Sequence, residues 1–329
     1  MSILNLAVFC TAFAGAALLC NAALPWLRRA FLVTPGARSS HLRATPQGGG
    51  LIVAPLALAI ACVALLASDW RPSRFDASLI AALLALVALG CWDDLSGLSA
   101  RFRFAVQAGA AGIVLATLPD APLPVLGWLP PPVGALALLI GIVWFVNLTN
   151  FMDGIDLISV AEFVPAFATI YLLMPPSFPT VLCLAFAGAL CGFALLNRPP
   201  ARLFLGDSGS LPLGLLGATG ALLVAGRYGI IVAALPFLYY GADATLTLAR
   251  RAVAGETVWE AHKQHFYQRA LQRGLSVRQI IARVLACNIA LCAIALLVVN
   301  GNAIAHLAAF ASGLVVVGLL LRDLSRERA

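Results

Sequence analysis

Residues Asn147 to Val160 read NLTNFMDGIDLISV, between an apolar run at 132–148 and another at 158–175. Each run approaches the ~20 residues that cover the hydrocarbon core of a bilayer. The stretch therefore reads as a place where the chain leaves a membrane and re-enters it. Aspartate inside a membrane helix costs about 2.5–3.5 kcal/mol at its centre, so such a residue is a functional candidate by default. Asn147, Asn150, Asp153 and Asp156 recur every third residue. On a continued helix they share one face; with a break at Gly154, backbone groups of a helix end join them instead. A helix end meeting water accounts for one aspartate but poorly for four polar groups in register.

The rest of the chain has the same character. Of 329 residues, 62% are hydrophobic and 11% are charged, against about 25% charged in soluble domains. This predicts an all-α, polytopic integral membrane protein. Runs near 3–25, 51–68, 77–92, 104–119, 132–148, 158–175, 179–196, 209–226, 229–248, 280–299 and 303–321 give about eleven spans. Ten is the alternative count, because the fifth, sixth and eighth runs are short or interrupted. The eight cysteines are scattered through these runs without a CxxC pair and read as small helix residues. The first 25 residues lack Lys and Arg, which argues for a retained span over a signal peptide. No linker or repeat divides residues 1–329, which read as a single transmembrane domain.

Basic residues set the orientation. With a periplasmic N-terminus and a cytoplasmic C-terminus, the inner segments are 26–50, 93–103, 149–157, 197–208, 249–279 and the tail. They then hold 18 of the 21 Lys and Arg, leaving Arg71, Arg74 and Arg227 outside. The net charge of +7 is thus mostly a topology signal and does not call for nucleic acid. Asp93, Asp94, Asp153, Asp156, Asp207 and Asp243 also fall on the inner side, which the insertion rules do not demand.

Several clusters on that side suggest chemistry. Asp93 and Asp94 are adjacent carboxylates that repel unless a cation, or Arg101 or Arg103, compensates them. Asp207 sits among Gly206, Ser208, Gly209 and Ser210 just before an apolar run. Amides at a helix N-terminus favour phosphate, and Mg²⁺ prefers carboxylate plus phosphate oxygens; an N-capping Asp is the structural alternative. The 250–274 loop carries His262, Lys263, His265, Arg269 and Arg273, and a helix would stack His265, Arg269 and Arg273 on one side. Gly48, Gly49 and Gly50 read as a tight re-entry turn.

In this order the motifs resemble those of the polyprenyl-phosphate N-acetylhexosamine-1-phosphate transferases. Thr45 to Gly50 resembles the family's glycine turn, and Asp93-Asp94 through Gln107 its acidic pair followed by basic residues and Gln. Asn147, Asn150, Asp153, Gly154 and Asp156 match its N-x-x-N-x-x-D-G-x-D signature. Asn197 through Ser210, Arg202 included, is similar to N-x-P-A-[KR]-x-F-x-G-D-x-G-S, and Asp243 with Arg250 and Arg251 to the segment before its His loop. Leu157 stands where the family usually has glycine. The form H-x-x-H-F-Y-Q-R from His262 resembles the O-antigen-initiating branch that uses sugars such as N-acetylfucosamine or N-acetylquinovosamine.

The resemblance implies transfer of a sugar-1-phosphate from a UDP-sugar to undecaprenyl phosphate in the bacterial inner membrane, on its cytoplasmic face, for O-antigen or another surface polysaccharide. It implies Mg²⁺ as cofactor, Mn²⁺ substituting, and a homodimer as one partner state. Asp207 and Asp94 are expected at the metal. Asp93 and Asp94 would steady the lipid phosphate, one of them taking its proton. Asn147, Asn150, Asp153, Asp156, Asn197 and Arg202 are expected at the substrate, while His262, His265 and Arg269 offset diphosphate charge. The main rival, an ion- or proton-coupled transporter, calls for mid-span acids and symmetric halves. The D-G-x-x-A-R pattern of CDP-alcohol phosphatidyltransferases is absent, because Ile-Asp-Leu-Ile follows Asp153-Gly154.

Overall fold

The structure is a computed structural model that describes residues 3–33, 44–67, 70–119, 127, 129–257 and 262–326. Parts of the expected inner loops, 34–43 and 258–261, lie outside the described residues, as do Asp69 and Asp120. The chain is almost wholly helical: α1 (Ile3–Ala30), α2 (Gly50–Leu66), α3 (Arg74–Ser96), α4 (Ala100–Thr117), α5 (Pro131–Met152), α6 (Ile158–Leu173), α7 (Phe178–Asn197), α8 (Asp207–Tyr228), α9 (Ile230–Ala234), α10 (Leu238–Val253), α11 (Phe266–Gln272), α12 (Val277–Val298) and α13 (Ala303–Ser325). Two short antiparallel strands, β1 (Leu32–Val33) and β2 (Thr45–Pro46), pair Leu32 with Pro46 and Val33 with Thr45.

All eleven apolar runs fall on helices, but not on eleven equal ones. Eight of the described helical segments are long and apolar enough to cross a membrane, counting Ile230–Val253 as one. That segment is α9, a 3-10 turn containing Pro236, and α10. Helices α2 and α6 are apolar but shorter, and α4 begins with Arg101 and Arg103 in its first turns. Helix starts follow their caps: Ser73 with Asp76 for α3, Ser99 for α4, Ser276 with Gln279 for α12 and Asn302 for α13.

Burial sorts the helices into a centre and a rim. Helix α7 buries 83% of its apolar window and α8 78%, whereas α1 buries 22%. In lipid there is little hydrophobic drive between helices, so close backbone approach decides packing. Gly188 and Gly192 of α7 do this against α1: a Cβ at either would collide with the carbonyl of Phe9 or Phe13. Ala12 and Ala16, also four apart, complete the contact. Four of the cysteines (Cys20, Cys183, Cys287 and Cys292) are buried in helices.

The topology brings one set of helix ends together. The C-terminal ends of α3 and α5 meet the N-terminal end of α8. The C-terminal end of α7 meets the turn before α6, and the segment after β2 lies along the loop into α8. The expected inner segments therefore converge at one end of the bundle.

Candidate active site

Asp94, in the last turn of α3, faces the first turn of α8. Its Oδ1 accepts the Asp207 amide at 3.1 Å, and Oδ2 lies 3.4 Å from the Ser208 amide. The first amides of a helix lack intrahelical acceptors and attract anions. Here a carboxylate from another helix fills that place. This corrects the expectation that these amides hold phosphate, and also the N-cap alternative: the cap residue is Gly206, and the capping carboxylate is Asp94 instead of Asp207. Two glycines make the approach possible. Gly206 has φ +75°, and a Cβ there would stand 2.7 Å from Asp94 Oδ2. A Cβ on Gly90 would fall on the backbone of Asp207 and Ser208.

Arg103, one turn into α4, compensates the acids. Its Nη1 is 2.6 Å from Asp93 Oδ2 and 4.0 Å from Asp207 Oδ2. Asp93 also accepts the Leu98 amide at 2.6 Å, so this carboxylate is engaged on both oxygens. Asn150 donates to Asp207 Oδ1 at 2.7 Å and is 2.9 Å from Ser210 Oγ. Asn147, one turn earlier, bonds Gln107 Oε1 at 2.6 Å and Val143 O at 2.8 Å. It ties α5 to α4, a bracing contact where substrate contact was expected.

Helix α5 ends at Met152, so the break at Gly154 is what forms. Asp153 accepts Ser159 Oγ at 2.6 Å. Burial pushes its carboxyl up to about 6, opposed by that hydroxyl and reinforced by Asp156 and Asp94. Asp156 is likewise held at about 6 by burial, against the Ala201 amide that bonds it at 3.0 Å. Leu157 has φ +66°, the left-handed region that glycine favours. Asn197 fixes that turn: its Oδ1 accepts the Leu157 amide at 2.7 Å, while its Nδ2 donates to Leu203 O at 2.9 Å. Both ends of Asn197 are thus spent on backbone, and it braces the site.

The basic loop differs most from expectation. His265, Arg269 and Arg273 do not form one cationic face. His265 precedes α11 and is buried, its Nδ1 3.1 Å from Asp243 Oδ1. Arg273 ends α11 and donates to Ser325 O at 2.5 Å. His262 lies beside His265, ring centres 4.8 Å apart. Burial, then His265 and Arg251, lower its pKa to about 4, which leaves it neutral near pH 7. Arg269 is half-buried. Helix α11 reaches the aspartate turn through Tyr267 and Gln268, which pack so closely on Gly154 that a Cβ there would meet the Tyr267 hydroxyl.

Some of these groups line a cleft of about 340 Å³, whose wall includes Gln47, Asn150, Asp153, Phe204, Asp207, Ser210 and Gln268. Asp156 and Arg202 line a neighbouring basin instead. Among the described residues, no three His, Cys, Asp or Glu side chains form a closed metal cage. Mg²⁺ does not require one; it keeps waters and is held by one or two carboxylates plus substrate phosphates. Asp94 and Asp207 offer hard oxygen donors of that kind, and three carboxylates here face one guanidinium. The residues fit a partly hydrated Mg²⁺.

Three features go beyond the roles expected from the sequence. Gln47 donates to Asp94 O at 3.2 Å, and the glycine turn itself is part of the site wall: the amides of Gly49 and Gly50 bond Phe204 O and Leu205 O. Glu162, in mid-helix α6, is wholly buried and accepts Asn288 Nδ2 at 2.7 Å. An acid inside an apolar run marks itself, and this one could have been singled out.

Comparison with known proteins gives a consistent set of relatives. The family model described as Glycosyl transferase family 4 matches residues 77–225. A probable undecaprenyl-phosphate N-acetylglucosaminyl 1-phosphate transferase of Bacillus subtilis is 28% identical over 267 residues, covering 75% of this chain and 71% of the relative. A decaprenyl-phosphate N-acetylglucosaminephosphotransferase of Mycobacterium tuberculosis is 32% identical over 298 residues, covering 75% and 70%. A phospho-N-acetylmuramoyl-pentapeptide-transferase of Gloeothece citriformis is 28% identical over 237 residues, covering 64% and 62%.

Proposed function

The chain belongs to glycosyl transferase family 4, and from that premise we propose that it transfers a sugar-1-phosphate from a UDP-N-acetylhexosamine to undecaprenyl phosphate. The products are undecaprenyl diphosphate-sugar and UMP. The site faces the cytoplasm of a bacterial inner membrane, where nucleotide and lipid phosphate meet, and O-antigen or another surface polysaccharide is the pathway. The observation that carries this reading is the meeting of Asp93, Asp94, Asp207 and Arg103 at one end of a membrane bundle, beside a cleft of nucleotide-binding size.

The reaction forms a bond from a lipid phosphate oxygen to the β-phosphorus and breaks the bond from that phosphorus to the bridging oxygen, which leaves on UMP. One phosphoanhydride replaces another, so catalysis is mainly positioning and charge neutralisation. A phosphate monoester is mostly dianionic at pH 7, and the attacking oxygen needs little help from a base. Two unit charges 4 Å apart repel by about 4 kcal/mol at an effective dielectric near 20; Mg²⁺ held by Asp94 and Asp207 would supply the offsetting charge. Arg103 holds Asp93 and keeps a guanidinium within 4.0 Å of Asp207, leaving Asp93 to orient the site. Asn150 fixes the Asp207 rotamer. Asp153 and Phe204 line the nucleotide side, braced by Asn147 and Asn197. His265, which caps α11, and Arg269, within it, act through that helix.

The test is to incubate the purified protein with undecaprenyl phosphate, Mg²⁺ and a panel of UDP-sugars and to follow UMP. Release with one N-acetylhexosamine identifies the donor. No release with any sugar rejects the reading.

A further inference from the structure

Next to the cleft lies a larger open basin of about 1210 Å³. Four arginines line it: Arg28 from the last turn of α1, Arg198 and Arg202 from the loop after α7, and Arg278 from the first turn of α12. All four are exposed. Among the described residues, the only acidic side chain lining the basin is Asp156, and one of its oxygens accepts the Ala201 amide. The insertion rules favour arginines at this end of the bundle, but they do not gather four of them, from three separate parts of the chain, around one concavity. A concavity ringed by guanidinium groups presents a positive field that favours an anion. Arg278 Nη2 donates to Pro199 O at 3.3 Å, which ties one guanidinium to another lining residue. Asn197, bonded to the Leu157 amide and to Leu203 O, lines the cleft and not the basin.

We propose that this basin binds a phosphate-bearing anion at a site distinct from the nucleotide cleft. Guanidinium groups pair with phosphate through two parallel hydrogen bonds, which explains arginine at all four positions. Two sources carry this chemistry: the headgroup of an anionic lipid in the adjoining leaflet, and a soluble di- or polyphosphate. The lipid source gains support from Trp26, half-exposed two residues before Arg28 on α1, since Trp marks the headgroup level of a bilayer and basic pockets at helix ends take anionic headgroups.

The experiment compares the full-length protein with R28Q/R198Q/R278Q and with R71Q/R74Q/R227Q, which removes equal charge from the other end of the bundle. Thermal unfolding is followed in phosphatidylcholine nanodiscs with increasing phosphatidylglycerol, and separately in neutral detergent with inorganic pyrophosphate. A saturable rise of the midpoint is expected in at least one arm for the wild type and the control variant. In the basin variant, half-saturation should move at least about 10-fold, the scale of one or two lost charge-assisted pairs. The responding arm identifies the source. The single variants R28Q and R198Q carry the same comparison if the triple variant does not purify folded. Equal responses in wild type and basin variants, or none in either arm, overturn the proposal.

Discussion

Asp94 and Asp207 are separated by 113 positions in the chain, yet Asp94 Oδ1 lies 3.1 Å from the Asp207 backbone nitrogen. One carboxylate therefore caps α8, and in the proposed function it is also a donor for Mg²⁺ beside Asp207. The two roles separate by substitution. Asp94→Asn keeps an oxygen acceptor for the helix amides, so it should retain thermal stability and lose transfer activity by orders of magnitude. Asp94→Ala should lose activity and also about 1 kcal/mol of stability, the usual worth of a cap. Unfolding in detergent alongside a transfer assay distinguishes them.

Arg103 joins two acids that neither helix could hold alone. Replacing it by Gln leaves Asp93 without its 2.6 Å partner. Charge-assisted pairs contribute about 1.5–3 kcal/mol, so turnover should fall about 10- to 100-fold, with Arg103→Lys intermediate. Steady-state kinetics at saturating Mg²⁺ reads the effect.

Asp153 gives a pH signature. Its pKa is raised in the folded protein from 3.8 to about 6, so the folded state binds the proton more tightly than the unfolded chain. Ionisation therefore costs stability progressively between about pH 4 and pH 6 and by a constant amount above. Asp153→Asn retains the oxygen that accepts Ser159 Oγ and removes that cost. The variant should match the wild type near pH 4 and exceed it above pH 6 by up to about 3 kcal/mol. Thermal unfolding against pH shows whether the difference grows in that direction.

Leu157 occupies a backbone conformation that costs a non-glycine residue about 1–2 kcal/mol. Glycine would remove this strain but adds unfolded-chain freedom of similar size. Leu157→Gly should thus be nearly neutral in stability and keep activity, whereas Leu157→Val, β-branched at positive φ, should lower both. Expression, unfolding and transfer rate of the two variants provide the comparison.

Much of this arrangement is legible in the sequence. Apolar runs placed the helices, because a membrane segment must satisfy its own backbone and so declares itself by length. The aspartates declared themselves by their cost in such a chain. What could not be read was the partnering. Asn147 and Asn197 follow the same polar pattern as Asn150, and only tertiary contacts reveal that they brace backbone and a neighbouring helix. His265 and Arg269 sit at helical spacing, but the helix starts after His265, whose ring turns inward to Asp243. Asp156 and Arg202 belong to sequence motifs of the cleft yet border the basin beside it, because the bonds of Asn197 turn the chain there.

The central claim is that the β-phosphorus travels with the sugar to the lipid. It is tested most directly with a UDP-N-acetylhexosamine radiolabelled at the β-phosphate, undecaprenyl phosphate and Mg²⁺, comparing wild type with Asp207→Asn and with chelator present. The account predicts label in the lipid fraction and UMP in solution for the wild type, and neither for the variant or the chelated sample. Label left in soluble UDP, or transfer undiminished in Asp207→Asn, would contradict it.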